Sequence, residues 1–148
     1  MNFKFKIIEH GSADWKKAVQ IREEVLRKPL GQLFSKKELD EEKNHIHVVG
    51  YVKDRLVSTA VLVEEGTRFK MQRVVVLDNL RNKNIGSKMM DFCEAYALEK
   101  GFDVIYCHAR DSAVNFYLKN GYSKQGNYFN EDGIPHLKMI LKLGKINK

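Results

Sequence analysis

The alternation of hydrophobic and polar residues along the chain predicts seven strands and four helices. Between Phe3 and Ile7 apolar residues alternate with lysines, which is the period-2 pattern of a strand with one buried face. From Trp15 to Leu26 the apolar residues recur at helical spacing instead, and Pro29 ends that pattern. The predicted strands are 3–7, 45–53, 56–64, 68–77, 103–109, 122–129 and 135–143.

Capping and stop signals delimit the predicted helices between these strands. Ser35 and Glu38 have the spacing of a capping box, which places a short helix there. Gly101 is a suitable C-cap for the longest helix. The four helices begin near Trp15, Ser35, Ile85 and Asp111 or Ser112.

The order of these elements predicts the topology of the sheet. Strand 68–77, the helix after it and strand 103–109 form a βαβ unit, whose right-handed crossover makes the two strands parallel. Short turns join most other neighbouring strands, which are therefore antiparallel. We predict an α/β (α+β) fold with a mixed, mostly antiparallel sheet, one central parallel pair and helices on both faces. Residues 1–148 are predicted to be a single domain.

Composition narrows the class of protein only modestly. The chain has 26 basic and 19 acidic side chains and a net charge of +7, which suits anionic partners without choosing among them. Its two cysteines, Cys93 and Cys107, are expected to be reduced and buried. The N-terminus lacks an apolar signal core and no apolar run could span a bilayer, so a cytoplasmic location is expected.

The segment that opens the third helix has the residues of an anion-binding loop. Arg81 and Lys83 add positive charge, Asn84 tolerates a left-handed backbone, and Gly86 lets an anion approach the main chain closely. The unpaired N–H groups of the first helical turn and the helix dipole favour a phosphate there. Neither GxxxxGK[ST] nor GxGxxG occurs. A plain strand-to-helix loop with solvated cations is the alternative.

A second cluster, Ser112–Tyr122, carries the adjacent aromatic residues Phe116 and Tyr117 one helical turn before Gly121. Taken by itself, this cluster is better explained as a core helix with a glycine stop.

Together the two clusters resemble the GCN5-related N-acetyltransferase (GNAT) family. In that family a Q/R-x-x-G-x-G/A loop follows a long bulged strand, and an A-x-x-[FL]-Y-x-x-x-G-[FY] segment comes later. Residues Arg81–Gly86 and Ala113–Tyr122 correspond to these motifs, and the predicted element order also matches. Asn84 stands where the family usually has glycine, and Arg110 where many members have asparagine.

The resemblance implies that acetyl-coenzyme A is the co-substrate. Its pyrophosphate would lie on the loop, and its pantetheine arm would run beside the strand that ends at Val76, where neighbouring strands splay. Because valine side chains are apolar, the strand would contribute main-chain groups. The implied cofactor-binding residues are Val74, Val75, Val76, Arg81, Lys83, Asn84, Ile85, Gly86, Ser87 and Asn115.

The implied reaction is acyl transfer from a thioester to an amine. A main-chain N–H of Val75 or Val76 would stabilise the oxyanion, and Tyr117 would protonate the departing thiolate. His108 is our candidate for the base, with His136 and the His45/His47 pair as alternatives. A base acting through ordered water is a further alternative.

The two histidines of that pair share a strand face, but no third ligand is evident at useful spacing, so no metal site is predicted. Each histidine taken singly is better explained by a hydrogen-bonded structural role.

The expected substrate is a primary amine of a small molecule or peptide, with neither nucleic acid nor membrane as a partner. Two other functions remain open: a coenzyme A sensor without turnover, and a basic nucleic-acid-binding module. The second would need clustered basic residues with interleaved aromatics, whereas the cations here are spread along the chain. A homodimer is also left open.

Overall fold

A computed structural model describes residues 2–77 and 84–144 of the chain. Seven strands and four α-helices occur in these ranges, in the predicted order. The strands are β1 Phe3–Ile8, β2 Ile46–Val52, β3 Arg55–Glu65, β4 Arg68–Val76, β5 Val104–Arg110, β6 Ser123–Glu131 and β7 Ile134–Lys142. The helices are α1 Ala13–Arg22, α2 Lys36–Glu41, α3 Ile85–Glu99 and α4 Val114–Lys119.

The strands pair in the order β1-β2-β3-β4-β5-β7-β6, and β4 pairs with β5 in parallel, which confirms the predicted mixed sheet. The chain forms two compact units that alternate along the sequence. The first unit is Met1–Val63 with Arg73–Phe92, and the second is Glu64–Gln72 with Cys93–Lys148.

In the first unit, β1, β2 and β3 form an antiparallel ladder with helices on both of its faces. Ala18 of α1 packs with Val49 and Leu56 in a buried cluster. On the other face, the ring of Phe5 lies 5.9 Å from that of Phe92 in α3. The apolar positions that alternate along the strands therefore supply two small cores, one under each helix.

The segment after α1 departs from the single helix predicted up to Pro29. Residues Glu23–Arg27 form a π-helical turn and Lys28–Leu30 a 3₁₀ turn. Gly31 then ends the segment in a left-handed conformation, with φ 70°. The capping box at Ser35 is confirmed, because its hydroxyl accepts from the N–H of Glu38 and the Glu38 side chain accepts from the N–H of Ser35.

In the second unit, the first half of β4 pairs in parallel with β5, from Arg68 opposite Val104 to Met71 opposite Cys107. Strand β5 continues for three more residues, to Arg110, and β7 pairs with it in the antiparallel sense along its whole length. The ring of Phe69 stacks on that of Phe102 at 4.0 Å.

The beginning of the fourth helix was predicted inaccurately. Asp111–Ala113 form a 3₁₀ turn, and α4 begins only at Val114, after Ala113 rather than after Asp111 or Ser112. Asp111 still acts locally, since its Oδ1 accepts from the N–H of Ser112 at 2.9 Å.

Both cysteines are free and buried, as predicted. Within the described ranges, every helix is too short or too polar to cross a lipid bilayer.

Burial of Cys93 should make the free energy of unfolding decrease at alkaline pH. Burial raises the pKa of this thiol from 9.0 to about 12, so its stabilising effect is complete below pH 9.0 and is lost as pH rises toward about 12. Between about pH 8 and about pH 10.5 we expect the free energy of unfolding of the wild type to fall about 2 kcal/mol further than that of Cys93→Ala. Urea unfolding at the two pH values measures this difference.

Met90→Ala is the matched control for this experiment, because Met90 is equally buried in α3 and does not titrate. It should lower stability by the same amount at both pH values. Parallel pH curves for Cys93→Ala and the wild type would contradict the prediction.

Candidate active site

The end of strand β4 has an irregular backbone directly before the three predicted valines. Arg73 has φ 53°, in the left-handed region, although it lies within a strand. This conformation costs a non-glycine residue roughly 1–2 kcal/mol, and it is typical of a strand whose regular alternation is interrupted. Val75 is buried, whereas Val74 and Val76 are half-buried on the other face.

A second left-handed residue, Asn84, precedes α3. Its φ is 65°, and its carbonyl accepts from the N–H of Lys88 at 3.0 Å. Asparagine tolerates this backbone better than most non-glycine residues, which explains how it can stand where the family usually has glycine. Ile85 and Gly86 are buried and Ser87 is half-buried in the first turn of α3. The predicted ligands Arg81 and Lys83 lie outside the described residues.

Sequence reasoning missed a set of charged side chains around the ring of Phe34. The guanidinium carbons of Arg22, Arg27 and Arg73 lie 4.6, 4.1 and 5.0 Å from the ring centroid. Two carboxylates, those of Glu38 and Glu42, complete the set. We call these six residues the Phe34 cluster: Arg22, Arg27, Phe34, Glu38, Glu42 and Arg73.

The two carboxylates of the Phe34 cluster are held firmly by arginines. Arg22 donates to Glu42 Oε2 at 2.6 Å, and both residues are almost fully buried. Arg27 donates to both oxygens of Glu38, at 3.1 and 2.7 Å. The hydrogen bond from Arg27 is the largest effect that lowers the pKa of Glu38, to about 2, so this carboxylate is ionised at neutral pH.

Tyr117 lies on α4, in the second unit, and only 4% of its surface is exposed. Its hydroxyl interacts with the thiol of Cys107, and its ring packs edge-on against the rings of Phe116 and Tyr122. Burial raises the pKa of the Tyr117 hydroxyl well above 10.0, so the group stays protonated at neutral pH. Asn115, two residues earlier on the same helix, is exposed.

His108, near the end of β5, has a carboxylate partner that the sequence did not reveal. Its Nδ1 lies 3.1 Å from Glu131 Oε1, and its ring packs edge-on against Phe129 at 5.0 Å. The other oxygen of Glu131 lies 3.9 Å from Nε2 of His136. A carboxylate at Nδ1 fixes the ring and places the N–H there, which leaves Nε2 of His108 as a proton acceptor.

Two other histidines, His10 and His47, fit a structural role, whereas Nδ1 of His45 is buried with no hydrogen-bond partner among the described residues. Nε2 of His47 lies 3.0 Å from the main-chain oxygen of Glu42, and Nε2 of His10 lies 2.8 Å from that of Leu39. In residues 2–77 and 84–144, no group of three or more histidine, cysteine or acidic side chains is arranged to hold a metal ion.

The sequence of residues 17–143 matches the family model described as the acetyltransferase (GNAT) domain. The chain belongs to the GNAT family. Acetyl-coenzyme A-dependent N-acetylation is the general activity of GNAT proteins, so the chain is an acyltransferase.

Individual relatives agree with this assignment. The uncharacterized N-acetyltransferase YjcF of Bacillus subtilis is 30% identical over 136 residues, which cover 90% of this chain and 96% of that protein. A candidate acetyltransferase of the same organism is 31% identical over 93 residues, 63% of each chain. The crystal structure of an aminoglycoside 6'-N-acetyltransferase complexed with coenzyme A superposes with a TM-score of 0.81. That likeness covers 98% of this chain and 99% of the other at 16% identity, and it concerns the fold.

Proposed function

We propose that this GNAT protein transfers the acetyl group of acetyl-coenzyme A to a primary amine of a small molecule or peptide, by direct attack in a ternary complex. The observation that carries the proposal is the turn at Asn84. A left-handed residue there leads straight into the first turn of a 15-residue helix, in the position of the first family motif. Such a turn aims main-chain N–H groups at an anion.

The residues of this turn fit a diphosphate. Ile85, Gly86 and Ser87 belong to the first helical turn, whose N–H groups have no acceptor within the helix. Gly86 has no side chain to keep an anion away from these groups. Arg81 and Lys83 are proposed to add charge-assisted contacts. When bound, acetyl-coenzyme A supplies an activated acyl group on a thiol leaving group.

The proposed catalytic residues divide the proton transfers between them. His108 takes a proton from the acceptor amine, because a protonated amine has no lone pair for attack. A main-chain N–H of Val75 or Val76 donates to the oxyanion. Tyr117 donates its hydroxyl proton to the departing thiolate. The carbon–nitrogen bond forms, the carbon–sulfur bond breaks, and the products are an amide and a thiol.

A screen of amines for acetyl-coenzyme A-dependent thiol release tests this proposal. Release that requires both the amine and the protein is the expected result. If coenzyme A binds in calorimetry and no amine is acetylated, the protein is a sensor instead. If coenzyme A does not bind, the proposed cofactor site is wrong.

Replacement of His108 separates the two histidines that share Glu131. We expect His108→Asn to lower kcat/KM roughly tenfold or more at neutral pH, because the proton acceptor is lost. The measurement is kcat/KM at neutral pH. His136→Asn is the matched control and should keep kcat/KM within about threefold of the wild type. A loss in His136→Asn without a loss in His108→Asn would assign the base to His136.

The proposal also includes a location in the cell and an oligomeric state. Reduced, buried thiols fit a cytoplasmic location. Homodimers are common among similar proteins, so a homodimer stays a prediction for this chain.

A further inference from the structure

We infer that Arg73 is a positioning residue for acetyl transfer: its tethered side chain fixes the main-chain direction of Val74–Val76. The inference rests on the proposed function, in which this stretch contacts the thioester. Every observation behind it concerns residues of the first unit.

The left-handed residue of β4 is an arginine, Arg73. If the strand needed only a positive φ, glycine would supply it without strain, and asparagine would supply it with little. An arginine at φ 53° is an unfavourable choice for the backbone alone. Strained residues of this kind persist where surrounding contacts hold them, and they concentrate at functional sites. The side chain of Arg73 must therefore contribute something that glycine cannot.

The side chain of Arg73 contacts two carboxylates and an aromatic ring. Nε of Arg73 donates to Glu42 Oε2 at 3.4 Å, and its terminal nitrogen lies 4.0 Å from Glu38 Oε2. Its guanidinium also lies over the ring of Phe34. The partners are themselves fixed, because Arg22 and Arg27 hold the two carboxylates. The Phe34 cluster thus anchors Arg73 to α2 and to the segments on either side of it.

The conformation of Arg73 affects the main-chain direction of Val74–Val76. A left-handed residue changes the orientation of the peptide groups around it. The contacts that hold the Arg73 side chain therefore also fix the direction of the N–H groups that follow it. A donor to an oxyanion must be aimed before the reaction, and a misplacement of about 1 Å can cost roughly 100-fold in rate. Loss of the tether should therefore lower turnover without removing any group that binds the diphosphate.

Arg73→Gly tests this inference because it removes the tether and leaves the left-handed backbone accessible. We expect kcat to fall roughly 10- to 100-fold, with the Kd of coenzyme A changed less than about threefold. Arg73→Lys, which keeps the charge, should recover part of the loss. Lys53→Gly is the matched control, because Lys53 is an exposed left-handed residue of a turn in the same unit, with φ 55°. It should keep kcat within about twofold of the wild type.

Amide hydrogen exchange of the free protein gives a readout independent of activity. In Arg73→Gly the N–H groups of Val74 and Val75 should exchange at least about tenfold faster, while that of Val48 in β2 keeps its rate. Uniformly faster exchange would mean that Arg73 only stabilises the fold and would overturn the inference, as would an unchanged kcat. If no amine is acetylated by the wild type, the proposed function fails, and the exchange rates still decide whether the tether exists.

Discussion

Gly86→Glu should abolish binding of acetyl-coenzyme A, with an affinity loss of roughly 100-fold or more, or about 2.7 kcal/mol. Gly86 is buried in the first turn of α3, two residues after the left-handed Asn84. A glutamate there would put a carboxylate among the N–H groups proposed to bind the diphosphate. It would occupy their space and repel the ligand's negative charge. Isothermal titration calorimetry with coenzyme A measures the effect.

Two further variants separate the causes of that loss. Gly86→Gln adds nearly the same volume without charge, so the difference between the two variants isolates the electrostatic part. Lys88→Glu changes the charge by two units at an exposed position of the same helix and should weaken binding far less. Unaltered affinity in Gly86→Glu, with the Tm of the wild type, would show that the diphosphate binds elsewhere.

Tyr117→Phe should lower kcat at least about tenfold while the Kd of coenzyme A stays unchanged. The ring contacts with Phe116 and Tyr122 survive the substitution, and only the hydroxyl is lost. The raised pKa of Tyr117 makes it a weaker acid than free tyrosine, so it cannot ionise ahead of the reaction. Its proton should move as the carbon–sulfur bond breaks and negative charge develops on sulfur. Steady-state kinetics together with calorimetry measure the two quantities.

Tyr122→Phe is a closely matched control. Tyr122 is also buried, its pKa is also raised by burial, and its hydroxyl donates to Glu94 Oε2 at 3.1 Å. The same atom is therefore removed from a neighbouring ring in a similar environment, and kcat should stay within about threefold of the wild type. Equal losses in both variants would indicate damage to packing, and no loss in Tyr117→Phe would exclude it as the acid.

Most of the fold follows from short-range patterns. The alternation in β1, the capping box at Ser35 and the glycine stop at Gly101 each depend on residues within a few positions of one another. The parallel pairing of β4 with β5 was predictable because a helix that crosses over between two strands brings the chain back in the same direction. The π-helical turn at Glu23–Arg27 was not, since it keeps the same apolar spacing as a helix.

Parts of the candidate site were predictable only where their residues are close in sequence. The turn at Asn84 and the helix with Tyr117 each lie in one motif, and the structure has both elements, while their roles stay proposals. The Phe34 cluster joins Arg73 to Glu42 across 31 positions, and His108 meets Glu131 across 23. Such pairs arise from tertiary packing, which a single sequence does not record. Arg81 and Lys83 lie outside the described residues, so their role stays a prediction.

The way the two units share the chain has a consequence for attempts to isolate either half. A polypeptide that stops at Val63 lacks Arg73–Phe92 of the first unit. If the chain is divided after Phe92 instead, the second part lacks Glu64–Gln72 of the second unit. No single cut therefore yields an intact half. During synthesis, the ribosome must release the chain as far as Phe92 before the first unit has all its parts, so fragments ending earlier should be targets for proteases and chaperones.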